Sequence, residues 1–372
     1  MPVKGRSFGQ ERPPLTDLLK NILLRYPDGG QILKEIIQNA DDAGASEVKV
    51  LFDATSYGTT SLVSPGLALF QGPALYCYNN AEFTDEDWEG LQRLMKGSKQ
   101  DNPMKVGRFG VGFNSVYHIT DLPSIASGDT VAFLDPHEKY FVRGQPGQAY
   151  SIKDPLLTEN FDQFTPFHQT MFGCNLSQGN HYNGTLFRFP LRTQSSELSD
   201  KIYTKDMIDT LFDSFKNEAT AILLFLKSVD TISLYEREKR GKISRLYTAK
   251  VSEKSKIEVR KKRQELIQDI TLEWDFAVKT TLYRLEIEKE CPGKPTEKNE
   301  WFLANQVGTN ELKLVELARN LKLLPWIGIA FPVDSRNNTS SLGRIFCFLP
   351  LPPDCRTGLP VQMNGYFGLT DN

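Results

Sequence analysis

No C-x-x-C pair occurs in the 372 residues, and the five cysteines (Cys77, Cys174, Cys291, Cys347 and Cys355) are scattered and odd in number. Only four histidines accompany them. This argues against structural zinc and against a disulfide framework, and leaves the thiols as reduced core or surface groups. Long apolar runs are missing, and the opening "MPVKGRSFGQERPP" has no signal-peptide core. Excess charge is missing as well: 44 Lys and Arg stand against 46 Asp and Glu, a net charge of −2. No global field favours nucleic acid or an anionic membrane. Two common phosphate motifs are absent: there is no G-x-x-x-x-G-K-[ST], and no glycine cluster has G-x-G-x-x-G spacing after a strand. What remains is an ordinary globular composition, 40% hydrophobic and 24% charged. The expectation is a soluble cytoplasmic or nuclear protein of two domains, or of one large domain with an appendage, with the cytoplasm preferred.

Hydrophobic periodicity sets the organisation. Residues 1–14 are a polar lead-in, and "LTDLLKNILLRYP" predicts a helix stopped by Pro27. A second helix runs from Gln31 to Ala43, followed by strands at 46–52 and 73–78 and a helix capped by Thr84. A glycine-rich segment at 106–120 leads into a helix near Asn114, and 121–192 reads as strands with long loops. An apolar helix at 207–226 and the strand "TISLYER" complete a first domain, 15–235. The stretch 236–263 carries twelve Lys and Arg against four Asp and Glu and reads as a solvated connector. Strands around "LEWDF", "TLYRLEIEK", "WFLANQ", "WIGIAFPV" and "RIFCFLPL", with a helix near 311–323, make 264–372 a second, smaller α+β unit. The ending "NGYFGLTDN" suggests that a larger protein continues beyond it.

One helix has an unusual polar face. In "EIIQNADDA", Glu35, Asn39 and Asp42 fall within roughly 60° of one another. Ile32, Leu33, Ile36, Ile37 and Ala40 form a separate apolar sector. A solvated stripe would more often mix in Lys or Arg, and here Lys34 and Gln38 lie off it. Asp41 also falls off the stripe and reads as solvated. Further on, "GRFGVGF" places Gly107, Gly110 and Gly112 where free backbone amides suit phosphate oxygens. Each feature alone has a plainer alternative, a solvated face for the first and a structural turn for the second.

Taken together and in this order, the motifs resemble a known family. "EIIQNADDA" is similar to the E-x-x-x-N-A-x-D-A helix of the Bergerat-fold ATPases, the superfamily of gyrase, heat-shock protein 90, histidine kinases and MutL. "GRFGVGF" looks like the phosphate loop of heat-shock protein 90, and "NGTLFRF" like the late strand whose threonine lies beneath adenine. The closer resemblance is to the sacsin repeats, through "GQILKEIIQNADDAGA", "GPALYCYNNAEFT" and "KVGRFGVGFNSVYHITDLPSI". This implies an α+β fold: a two-layer α/β sandwich of Bergerat type, followed by the second α+β unit.

The roles carry over position by position. Glu35 stands where a general base polarises the attacking water, and Asn39 where an amide oxygen ligates Mg²⁺, a hard cation suited to oxygen donors. Asp42 and Ala43 would border ribose and base. Gly107, Gly110 and Gly112, with Arg108, Phe109 and Val111 between them, would wrap the phosphates of ATP. Phe113 would close the floor, and Thr185 would support the adenine amine. Residues from about 95 to 106 match a mobile lid. Phe83 and Asp87 match further pocket positions.

The D-x-G-x-G adenine motif is replaced by "YNNAEFT". Either Tyr78 or Asn79 then stands at the adenine-binding aspartate, and Asn79 is chemically better but neutral. Arg344 and Arg356 are the late candidates for a downstream catalytic arginine. The implied function is an ATP-binding, slowly hydrolysing chaperone-like module that engages ATP or ADP and protein clients or co-chaperones, with no nucleic acid and no membrane insertion. The alternative is a degenerate module that acts as a protein-interaction scaffold.

Overall fold

The computed structural model describes residues 13–25, 28–92, 112–239, 241–268, 278–321, 323–333 and 343–366. A mixed 14-stranded sheet runs through them, in the order β13-β12-β14-β11-β10-β9-β8-β7-β1-β2-β6-β3-β4-β5. Its centre is β1 (Glu47–Asp53), which pairs antiparallel with β2 (Ala74–Asn79) and parallel with β7 (Thr231–Arg237). On one side follow β6 (Tyr182–Pro190), β3 (Ser124–Gly128), β4 (Thr130–Leu134) and β5 (Gly147–Ser151). On the other follow β8 (Ile243–Val251), β9 (Lys279–Glu290), β10 (Glu297–Val307) and β11 (Trp326–Pro332). The short strands β14 (Gln362–Gly365), β12 (Ile345–Cys347) and β13 (Leu349–Pro350) end that side.

Strand alternation divides the central sheet into two faces. Val48, Val50, Phe52, Leu75, Cys77, Phe187 and Phe189 enter one core. That core also takes α1 (Leu15–Arg25), α2 (Gly30–Asp42) and α6 (Lys205–Ile222). In α2, Ile32, Leu33, Ile36 and Ile37 are buried, each contributing about 1.5–3 kcal/mol of transfer free energy. Their spacing fixes which way the helix turns its polar stripe.

The opposite face is covered too. Leu51, Tyr76, Leu186, Val131 and Phe133 pack with Phe164 and Phe167 of α5 (Phe161–His168), Leu157 of α4 (Leu156–Glu159), and the short 3₁₀ turn Pro65–Phe70. Around these strands the fold is thus three layers deep, where two were expected. Helix α5 was hidden in the sequence by Pro166, which lies inside it, since proline removes an N–H donor and normally ends a helix.

The charged stretch at 236–263 contains β8, paired with both β7 and β9, and most of α7 (Glu253–Ile267). Arg263 of α7 is buried and donates to the carbonyls of Leu223 and Val229. The run therefore continues the sheet and packs a helix on it. The expected helix near 311–323 is α8 (Leu312–Leu321). The strand read from "LEWDF" lies outside the described residues. Among the described residues no helix is long and apolar enough to cross a membrane.

Candidate functional site

The sheet face shared with α2 gathers most of the described motif residues. Glu35 lies in mid-α2, and Gln31, one turn earlier, donates from Nε2 to Glu35 Oε1 at 2.9 Å. The other carboxylate oxygen rests directly on Gly112, where any Cβ would overlap it. Two motifs far apart in sequence are thereby in contact, and glycine is the residue type that allows it. Gly112 opens a 3₁₀ turn, Gly112–His118, where the sequence predicts an α-helix starting near Asn114. Asn39 follows Glu35 by one turn and is half-buried.

Phe113 carries the site along the sheet. Its ring lies 5.8 Å from Phe187 and 6.4 Å from Phe189, both on β6. Phe83 meets Phe187 edge-on at 5.9 Å and Trp88 at 4.9 Å. These rings form an apolar floor between the Glu35 end and a polar cluster around Asn79 and Thr185.

Asn79 ends β2 directly opposite Thr185 of β6. The alternation of β2 settles which residue faces α2. Leu75 and Cys77 enter the α2-side core, so Asn79 shares their face, whereas Tyr78 packs on the other side, stacked on Phe172 at 5.3 Å. Asn79 Oδ1 accepts from the Ala81 N–H at 3.0 Å, an Asx turn. Thr185 donates to the Ala81 carbonyl at 2.8 Å and touches Ser127 Oγ at 3.0 Å. Ser127 donates to the Gly184 carbonyl and accepts from the Phe83 N–H. Gly184, at φ +133°, lets the strands approach: a Cβ there would press on the Asn79 carbonyl and the Tyr78 ring. Asn80 accepts from the N–H groups of Ser46 and Glu47 and so anchors the start of β1.

At the rim, exposed His181 lies between Asp129 (3.0 Å from Nδ1) and Glu82 (2.9 Å from Nε2). Hydrogen bonds to Asp129 first, and to Glu82, push the imidazole above its ordinary value. Asp87 is engaged in a capping box, accepting from both the N–H and the hydroxyl of Thr84.

The C-terminal end of α2 differs from expectation. Asp41 is buried and accepts from three consecutive amides, Lys227, Ser228 and Val229, at 2.7–3.0 Å. It is not solvated, because the α6–β7 connection closes over it. Asp42 pairs with Lys227 at 2.6 Å with its side chain fully enclosed, and the Lys227 ammonium lies 5.5 Å from the Phe348 ring. The carboxylate placed beside sugar and base by the resemblance is thus locked into an internal ion pair, while Ala43 is an exposed C-cap. Gly107, Arg108, Phe109, Gly110, Val111 and the lid positions lie outside the described residues.

Of the two late arginines, Arg344 donates to Glu218 of α6 at 2.8 Å, and Glu218 also pairs with Lys34 of α2 at 2.5 Å. Burial alone would raise Glu218, but Lys34 and Arg344 together hold its carboxyl below the ordinary value. Arg356 donates to the Pro353 carbonyl, within its own loop. Sequence reasoning missed the Lys34–Glu218–Arg344 chain, since no local pattern links residues so far apart. Among the described residues no cluster of His, Cys, Asp and Glu suits a metal ion, and the five cysteines are free thiols. Burial pushes the Cys174 thiol up to about 12.

Comparison with known proteins agrees with the resemblance to the sacsin repeats. The model of the Sacsin domain matches residues 12–248. Human Sacsin is 47% identical over 390 residues, which cover 99% of this chain and 8% of that protein, so the chain spans a small part of its relative's length. A crystal structure of the N-terminal domain of a DNA repair protein aligns with TM-score 0.38 and 12% identity, over 94% of this chain and 87% of that one. Such distance carries nothing about function. By the family match and the identity to human Sacsin, this chain belongs to the sacsin family.

Proposed function

We propose that the α2 face of the sheet is a Bergerat-type site that binds a magnesium–nucleoside triphosphate, ATP by the resemblance, and hydrolyses it slowly. The module would use lid closure to engage protein clients in the cytoplasm. The observation that carries this reading is the Glu35–Gly112 contact, which sets a carboxylate against the last glycine of the phosphate-loop motif. Gln31 orients that carboxylate through Oε1, leaving its other oxygen toward the glycine segment. Glu35 would take the proton of the water that attacks the terminal phosphoryl group. Asn39, with its amide oxygen one turn away, suits Mg²⁺, and the ion when bound would offset phosphate charge. Phe113, Phe187 and Phe83 offer apolar ring surface to a base. Asp41 and Asp42 act by holding the helix end in place.

The test is calorimetry and phosphate release with Mg-ATP and Mg-ITP on the wild type, Glu35→Ala and Asn39→Ala. Glu35→Ala should bind a triphosphate but lose hydrolysis, and Asn39→Ala should lose the Mg²⁺-dependent part of binding. Absence of heat with either nucleotide at millimolar concentration would defeat the reading.

One observation favours the alternative, an interaction scaffold. On β9, β10 and β11, Leu282, Phe302, Ile327, Ile329 and Phe331 are all exposed. The registers Phe302↔Phe331 and Ala304↔Leu282 place them on a single bare sheet face. Calorimetric silence would leave that face as the better guide to function.

A further inference from the structure

We infer that His181 is a proton-operated latch on the rim of this site: its charged ring ties the loop that carries Phe83 to the turn between β3 and β4, and loss of one proton releases that loop. The latch follows from counting protons at the ring; its effect on a ligand rests on the nucleotide reading above. Nδ1 meets Asp129 at 3.0 Å, and Nε2 meets Glu82 at 2.9 Å. Both partners are carboxylates, which when ionised can only accept. A neutral imidazole has one N–H and one lone pair, so it serves one carboxylate and turns its lone pair on the other. The imidazolium has two N–H donors and serves both. The closed bridge therefore holds one proton more than a neutral ring between two ionised carboxylates.

The surroundings supply no substitute for that proton. Among the described residues, no other cation pairs with Asp129 or Glu82. Asp85, Glu86 and Asp87, in the first turn of α3 (Asp85–Gln92), carry the same sign as Glu82. Tyr182, next to His181, is buried with its hydroxyl on the Phe172 carbonyl. What the latch holds gives it a use. Glu82 lies between Ala81, which bonds Asn79 and Thr185, and Phe83, whose ring meets Trp88 and Phe187. Asp129 follows Ser127, which accepts from the Phe83 N–H. With the bridge closed, the Phe83 ring is set in place before a ligand arrives. With it open, ordering the loop weakens binding. All three side chains are about half exposed, so the latch is weak and salt-sensitive.

The experiment labels the 372-residue chain with fluorotryptophan and follows Trp88, 4.9 Å from Phe83, by fluorine NMR without ligand, from about pH 6 to about pH 9. The Trp88 signal, assigned by Trp88→Phe, should move with a midpoint above 6.5 and stay still in His181→Ala. Calorimetry with Mg-ATP over the same range should give wild-type binding about threefold weaker at the alkaline end. His181→Ala should sit at the weaker value throughout. Glu82→Gln should keep the tighter one, because an amide can donate to the neutral ring or accept from the charged one. Both variants share the nucleotide's own titration and so remove it from the comparison. A Trp88 signal that stays still in the wild type, or moves alike in His181→Ala, would overturn the latch and leave the nucleotide reading standing. Absence of heat with Mg-ATP would overturn that reading, while the ligand-free spectra still decide the latch.

Discussion

The two ends of the candidate site are built in opposite ways. At the Glu35 end the geometry depends on something missing: Gly112 has no Cβ, and a carboxylate occupies that space. At the Asn79 end it depends on what is already paired, since Asn79, Thr185, Ser127 and the Ala81 backbone bond to one another. The first end is a steric arrangement that one methyl group destroys. The second is a hydrogen-bond network in which Asn79, Ser127, Thr185 and the Ala81 backbone hold one another. On the proposed reading, the phosphates would lie at the first end and the base at the second.

Gly112→Ala should break this contrast most strongly. The new Cβ overlaps the Glu35 carboxylate and must displace it, while the base end is untouched. Hydrolysis measured by phosphate release should fall by about 10²-fold, the cost of misplacing a catalytic group by roughly 1 Å. Retention of wild-type turnover would mean that Glu35 is not held for catalysis.

A smaller effect belongs to the rim of the Asn79 end. His181 bridges Asp129, at the β3–β4 turn, and Glu82, in the loop that follows Asn79, and both partners raise its pKa above 6.5. The protonated ring makes both links, so its contribution is complete below pH 6.5 and fades as pH rises through the raised value. An NMR titration of the His181 ring should give a midpoint above 6.5 that drops in Glu82→Gln. A midpoint at or below 6.5 in the wild type would show that the bridge does not form in solution.

Much of this was legible in the sequence because it is local. The 3.6-residue period of α2 gave its apolar sector and the positions of Glu35 and Asn39. The two-residue period of β2 would have chosen Asn79 over Tyr78 had the core face been known. What escaped was set by distant chain. Asp41 reads as solvated until the segment at 227–229 is seen to close over it. Lys34 looks like a surface lysine, yet it meets Glu218, which is held in turn by Arg344. The charged run at 236–263 looks like a linker because its polar residues mask β8, whose pairing with β7 and β9 no local pattern reveals. In each case a long-range contact decides a residue's environment, and composition carries no record of it.

The central claim is a location: a nucleotide lies across the α2 face, from Glu35 to Asn79. Photolabelling with an azido-purine triphosphate and Mg²⁺, followed by peptide mapping, tests it most directly. The account predicts label on peptides bearing Phe83 or Phe113, competed by unmodified triphosphate. Competable label confined to the β9–β11 face would contradict it.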